Sequence, residues 1–396
     1  MSGEETTEKQ SSAIIAFLQT IQEGSGSLHI AQSTLSLCQT IISTTKGLGK
    51  EGVLASLGSV KELIRDNRPT DFVINNMILY SMKVVREHGS KTKKGMGVKK
   101  CLDMIQGFSQ QISDYYTNII SQAPQYINNS SVVMTHGYSR MVFQFLTGLP
   151  KTHTFTVIVA AAAPTFQGHR MAADLSKAGI HTILVSDAAV PAMISKVTSI
   201  VVGVSAVTAD GGIIGDPGIS TLALAAKERS LPFLALSGLY KFTPFYTSQQ
   251  NFNELLDPST VISPHTLVQC GDPLIINPKF DYVRPSHISL IVSNVENDAV
   301  APINVYQHIK QLYSEEDYTN HSHIQQNITA YLYPAASPSP SQLSQAQPVL
   351  PKNLPPHSFE ILNSLQPGGM LLPAITSTTA SHPPFDEADS PSKEPS

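Results

Sequence analysis

Cysteine is scarce in this chain of 396 residues, and the three present, Cys38, Cys101 and Cys270, lie far apart with neither a C-x-x-C spacing nor a paired histidine. That excludes a disulfide framework and a zinc knuckle and fits a reducing compartment. Charge is equally sparse: Asp, Glu, Lys and Arg make up 14% of the sequence and nearly cancel, at a net −4. No basic field for DNA or RNA is present, so direct nucleic-acid binding is not expected. Long apolar runs are missing too. None approaches the ~20 residues of a membrane span, and the acidic start Met1-Ser2-Gly3-Glu4-Glu5 lacks the positive and apolar regions of a signal peptide. The expectation is a cytosolic protein without a membrane partner, in which the sequon Asn129-Ser130-Ser131 carries no glycan.

What is present is a large supply of core. Apolar residues form 41% of a chain longer than one typical domain, so two folded units with appendages are expected. From Ser11 to Ser121 apolar residues recur at three- and four-residue steps, as in Ile14, Ile15, Phe17, Leu18 and Ile21, then Leu35, Leu37, Ile41 and Ile42. This predicts an all-helical N-terminal domain over residues 1–125. Gly24 to Gly26, Gly47 to Gly52 and Gly89 to Gly97 read as its turns, and Asn67 to Asp71 as a stop followed by an N-cap. The lysines from Lys91 to Lys100 read as a solvated loop.

After Pro124 the pattern becomes short β-branched runs alternating with helical stretches. The runs are Val132 to Thr135, Thr156 to Ala160, His181 to Val185, Ile200 to Val202, Phe233 to Leu236 and His287 to Val292; the helices are Gly168 to Ala178, Asp187 to Val197 and Thr221 to Arg229. Such alternation predicts an α/β fold: a Rossmann-like, doubly wound, mostly parallel sheet over residues 126–318. From residue 319 to 396 the chain is rich in Pro and Ser and has too few apolar residues to offset ordering, so a disordered C-terminal tail is expected, with one apolar island from Ile361 to Leu372.

Ligands bind doubly wound sheets outside the carboxyl ends of the strands, which directs attention to the turns at His136, Ala161, Ser186 and Gly203. No motif there specifies catalysis. The glycines from Gly211 to Gly218 precede a helix but lack G-x-G-x-x-G spacing, which favours a structural turn over a phosphate cradle. Gly47-Leu48-Gly49-Lys50-Glu51 has Glu51 where a Walker loop needs Ser or Thr. Gly203-Val204-Ser205 supplies half of a hydrolase elbow. His136 and His169 could move protons, but neither has a nucleophile and carboxylate at motif spacing, so core or interface roles are favoured. No cofactor or metal is expected.

The turn Thr135 to Arg140, with Ala163 to His169, Leu175 to Ile180, Ser186 to Ala189 and Gly218 to Lys227 in the same order, resembles the regulatory alpha/beta/delta subunit family of eukaryotic translation initiation factor 2B. Phe280 to Pro285 and Ile288 to Asn294 look most like the beta type. The resemblance spans about Ser11 to Tyr318. The same superfamily includes methylthioribose-1-phosphate isomerases, whose active sites use a cysteine in a Thr-His-Cys-Asn turn and an aspartate in a Gly-Ala-Asp-Arg turn. Here Gly137 and Ser205 stand at those places. Glycine transfers no proton and an unassisted serine is too weak an acid, so isomerase activity is not expected, although the retained Gln167-Gly168 pair leaves a vestigial anion pocket conceivable.

The resemblance implies a non-catalytic subunit of the guanine-nucleotide exchange complex for initiation factor 2. Its partners would be the alpha, delta, gamma and epsilon subunits and initiation factor 2 itself, whose phosphorylated alpha subunit inhibits the assembly. By the same resemblance His169 matches a position near the beta–delta interface and is the expected interaction residue. The alternatives are a sugar-phosphate-binding protein or isomerase using the Gly211 to Gly218 turn, and a free-standing homodimer.

Overall fold

In the computed structural model of the chain, residues 3–21, 26–68, 70–89, 96–246, 253–269, 273–294 and 299–318 are described. The expected tail, its apolar island, Cys270, and Lys91 to Lys94 lie outside them. The periodic N-terminal segment forms helices α1 (Gly3–Thr20), α2 (Ser27–Thr45), α3 (Gly49–Asn67), α4 (Phe72–His88), α5 (Met96–Ser121) and α6 (Ala123–Tyr126). Their apolar stripes meet in one core: Ile21 from the end of α1, Leu35, Cys38 and Ile41 from α2, Leu57 from α3, Ile74 and Met77 from α4, and Ile105 and Ile112 from α5. Burial of side chains of this size, ~1.5–3 kcal/mol each, holds the layer together, because propensity alone leaves helices of this length marginal.

The β-branched runs form the sheet that follows. Strands β1 (Val132–His136), β2 (Thr156–Ala160), β3 (His181–Val185), β4 (Ser199–Gly203), β7 (Phe233–Leu236), β9 (Leu290–Val292) and β10 (Ala299–Val300) make one seven-stranded sheet in the order β10-β9-β7-β4-β1-β2-β3. All pairings are parallel except β10 with β9. Alternate residues divide between the two faces. Met134, Ile158, Ile200, Phe233 and Ile291 pack with Val190 of α9 (Val190–Met193), Leu222 and Ala226 of α10 (Ile219–Glu228), and Val305 and Ile309 of α12 (Val305–Leu312). On the other face Val133, Val157, Val201, Leu234 and Val292 pack with Ile119 of α5, Ala123 of α6, Phe145 of α7 (Arg140–Thr147), and Met171 and Leu175 of α8 (Gln167–Lys177). The sheet is doubly wound. Helix α5 serves both layers, with Ile105 in the helical core and Ile119 against the sheet.

Several expectations needed correction. A second sheet of three antiparallel strands, β5 (Ala206–Val207), β6 (Ile213–Gly215) and β8 (Asp281–Val283), was not foreseen, nor were α7, α12 and the short α11 (Pro264–Gln269). The stretch from Asp187 to Val197 is not one helix but a 3₁₀ turn, α9 and a second 3₁₀ turn. Pro191 has no N–H to reach back to the Asp187 carbonyl, so the α-helical register cannot extend to that residue. Gly52 and Gly97 lie inside α3 and α5 rather than in turns. Asp71 stands at the N-cap of α4 but does not bond its backbone; its carboxylate takes Arg68 Nη1 at 3.0 Å instead. The strand foreseen from His287 begins at Leu290, because Pro285–His287 is a 3₁₀ turn.

Candidate functional site

Strand order reverses between β1 and β4: from β1 the chain winds outward through β2 and β3, and from β4 the opposite way through β7 and β9. The crevice at such a switch point, beyond the strand carboxyl ends, is where this architecture binds ligands. It falls at His136-Gly137 and Gly203-Val204.

His136 ends β1 with its side chain 3% exposed, and Nε2 lies 3.5 Å from Asp187 Oδ1 without a hydrogen bond to any partner. Asp187, the second residue after β3, spends its carboxylate on the loop after β2: Oδ1 accepts from Ala162 N at 2.9 Å and Oδ2 from Ala163 N at 2.7 Å. One side chain thus ties the carboxyl ends of β2 and β3 beside the end of β1. Gly218, φ +101, comes so close that a Cβ there would lie 2.8 Å from His136 Nε2. Gly137, φ +62, faces Asp216, whose Oδ2 would lie 3.2 Å from an added Cβ. On the β4 side, Ser139 Oγ accepts from Val142 N to cap α7 and packs on Gly203, leaving no space for a side chain there. The loop after β7 enters the helical core through buried Tyr240, whose carbonyl accepts from Asn76. The next residue, Lys241, donates from Nζ to the Val204 carbonyl at 2.6 Å.

Burial governs the protonation of these groups. It pulls the His136 imidazole below its ordinary range, against the raising influence of Asp187, Asp216 and Asp281. It pulls Lys241 down to about 8, opposed by Asp216. Asp216 keeps one side open to solvent while protein crowds the rest, and that crowding raises its carboxyl against the pull of His136 and Lys241.

A cavity of about 250 Å³ opens here between α9 and α10, lined by His136, Asp187, Ala188, Val190, Gly218, Thr221 and Leu222. The N-terminus of α10 would be the seat for an anion, but Asp281 already occupies it: Oδ2 accepts from Gly218 N at 3.2 Å and Ser220 N at 3.0 Å. The Gly211 to Gly218 run therefore ends the β5–β6 hairpin turn, forms β6 and leads into the start of α10, which Asp281 caps from outside the helix. Among the described residues, no group of His, Cys, Asp and Glu is arranged to hold a metal.

The residues singled out from sequence separate in space. His136 and Gly137 lie in the crevice. Ser205 lies two residues past β4, half-buried, its N–H donating to the Ile214 carbonyl in the small sheet. Gly168 presses α8 onto the end of β2, where a Cβ would fall 2.2 Å from the Ala160 carbonyl oxygen, while Gln167 points to solvent. His169 is exposed on α8, its ring 5.3 Å from that of Phe166, and outside the cavity lining. Sequence reasoning missed Asp187, Asp216, Lys241 and Asp281 as site residues. Asp187 and Asp281 both lay in quoted segments, but neither has a local partner in the crevice that spacing could reveal.

A helical layer followed by a doubly wound sheet with a small switch-point crevice defines a doubly wound α/β class of fold. Residues 23–296 match the sequence model of the Initiation factor 2 subunit family, and the chain belongs to that family. It is 35% identical over 217 residues to a translation initiation factor eIF2B subunit beta of Dictyostelium discoideum; the match covers 54% of this chain and 55% of that one, so the chain spans about half the length of this relative. It is 24% identical over 292 residues to a ribose 1,5-bisphosphate isomerase of Haloferax volcanii, covering 73% of this chain and 88% of the isomerase. In structure it is similar to a chain of the tetrameric eIF2B beta2-delta2 complex from C. thermophilum, with a TM-score of 0.62 at 21% identity over 79% of this chain and all of the other; at that identity the likeness establishes the fold. No helix among the described residues is long and apolar enough to cross a membrane.

Proposed function

We propose that the chain is a non-catalytic, beta-type regulatory subunit of the guanine-nucleotide exchange complex for translation initiation factor 2. In this reading it works in the cytosol, assembles with alpha, delta, gamma and epsilon subunits, and contacts initiation factor 2 rather than nucleic acid. Inhibition by the phosphorylated alpha subunit of that factor then requires the assembly to bind it differently in two states. Residues 1–125 would form the helical part and 126–318 the α/β part that pairs with neighbouring subunits, with His169 on the pairing surface beside Phe166.

The observation that carries the reading is the state of the crevice. Gly137, at the turn where the isomerases of the family would hold a cysteine, offers no proton, and the neighbouring helix terminus that would take a phosphate is filled by Asp281. A crevice with glycine in place of the isomerases' cysteine and with its helix terminus occupied favours assembly over sugar-phosphate turnover. Native mass measurement of a tagged chain purified from its own cells tests this. Hetero-oligomers containing the other subunits are expected; recovery alone or only with copies of itself would remove the beta assignment, and turnover of ribose 1,5-bisphosphate by the purified chain would restore the isomerase reading.

A further inference from the structure

The switch-point cavity has an unmet polar requirement. His136 lines the cavity, and its Nε2 is buried without a hydrogen-bond partner, while Asp187 Oδ1 stands 3.5 Å away. A buried polar atom left unpaired in this way is destabilising, and a ligand atom that pairs with it recovers that loss. The geometry sets the kind of atom. Neutral imidazole protonated on Nδ1 presents Nε2 as an acceptor, and the lowered proton affinity of His136 favours the neutral form. Two acceptors 3.5 Å apart leave room for one donor nitrogen within hydrogen-bond reach of both.

Charge then selects between ligands. Asp187, Asp216 and Asp281 all act on His136, and Lys241, the cation acting on Asp216, is already donating to the Val204 carbonyl. An anion entering here would meet the Asp187 carboxylate in the wall, with Asp216 and Asp281 acting on the same imidazole from outside the lining, and find the α10 amides occupied. The remaining walls, Ala188, Val190 and Leu222, are apolar and suit a flat hydrocarbon body, with the Thr221 hydroxyl beside them. The volume of about 250 Å³ lies just under the ~300–1,000 Å³ of drug-sized ligand pockets, so the occupant is small.

We propose that this cavity is a binding site for a small organic cation, an amine or amidine on an apolar body, whose N–H group bridges His136 Nε2 and Asp187 Oδ1. The site has the opposite charge preference to a sugar-phosphate pocket. It does not depend on the subunit assignment, since it needs only this chain.

The test is calorimetric and NMR titration of the full chain with benzamidine, with its isosteric anion benzoate, and with ribose 5-phosphate. Benzamidine is expected to bind saturably and the two anions not to bind. Asp187→Asn keeps an oxygen for one of the Ala162 and Ala163 amides, turns its NH2 to the other and removes the charge; it should weaken benzamidine at least about tenfold, the scale of a lost charge-assisted hydrogen bond. Thr221→Met, at an exposed lining position, should block the cavity without touching the core and abolish binding. The proposal is overturned by no saturable benzamidine binding, by anions binding as tightly, or by benzamidine binding indifferent to both substitutions.

Discussion

The Asp281 carboxylate and the Gly218 backbone amide meet at 3.2 Å across 63 positions of sequence, and through them strand β8 of the small sheet closes the N-terminus of α10. The second acceptance, from Ser220 N at 3.0 Å, makes the carboxylate a cap supplied from outside the helix. A negative charge at that end also complements the helix dipole. Asp281→Ala therefore strands two amide donors and should cost about 1–2 kcal/mol, read from urea denaturation. Because the freed terminus is an anion seat, sulfate should raise the melting temperature of the variant more than that of the parent. Equal responses to sulfate would show that the terminus is closed by something other than Asp281.

Lys241 makes the stability of the chain depend on pH in a defined window. Its burial places the folded-state value at about 8, below the ordinary 10.5, so between the two the unfolded chain binds the proton that the folded chain has released. Stability then rises with pH from about 8 to 10.5 through this group, and its contribution is flat below about 8. Lys241→Met should remove that part of the rise. The parent-minus-variant difference, measured by denaturation at a series of pH values, is expected to shift in favour of the parent as pH climbs through the window. A difference that stays constant would mean that Lys241 is as well solvated when folded as when unfolded.

The large sheet was legible because its central strands are buried and therefore continuous apolar runs: Thr156 to Ala160 and Phe233 to Leu236 fall on the observed boundaries. The small sheet was not. Strand β5 has two residues and β6 lies within a glycine-rich run, so neither offers a period to read. The position of the crevice followed from His136 at the end of β1, but its charge did not. Asp187 is 51 positions from His136 and Asp281 is 145, and their roles arise only when the strands align, through contacts that no local spacing encodes. Ser205 illustrates the reverse error: a motif position made it notable, and the fold sends its backbone into the small sheet.

The last described turn of the chain is fastened to the helical layer by charge. Asp317 is buried, with its side chain 2% exposed; Arg86 of α4 donates to it through Nη2 and reaches Glu316 through Nη1 at 2.7 Å, while Lys61 of α3 donates to the Asp317 carbonyl at 3.0 Å. Removing one member of a buried pair leaves the other uncompensated, which costs about 3–5 kcal/mol when both are fully buried. Arg86 is 29% exposed, so Arg86→Ala should cost less, about 1–3 kcal/mol. Asp317→Asn in the Arg86→Ala background should recover part of the loss. A double variant no more stable than the single one would show that the buried carboxylate is satisfied by other groups.

Helix α10 provides a sharper test of the packing around the crevice, because two adjacent positions face opposite ways. Ala225 is 9% exposed and belongs to the core beneath the sheet, whereas Leu224 is 55% exposed. Ala225→Glu places an unpaired carboxylate among apolar side chains, an environment in which charge is tolerated only when paired or neutralised. It should cost more than about 3 kcal/mol and abolish most soluble yield. Leu224→Glu adds the same side chain one residue earlier on the solvent side and should stay within about 0.5 kcal/mol of the parent. The contrast separates burial from helix propensity, since both variants introduce the same residue into the same helix. If the two lose stability equally, the inner face of α10 does not lie against the sheet, and the wall that Leu222 and Thr221 give the cavity moves with it.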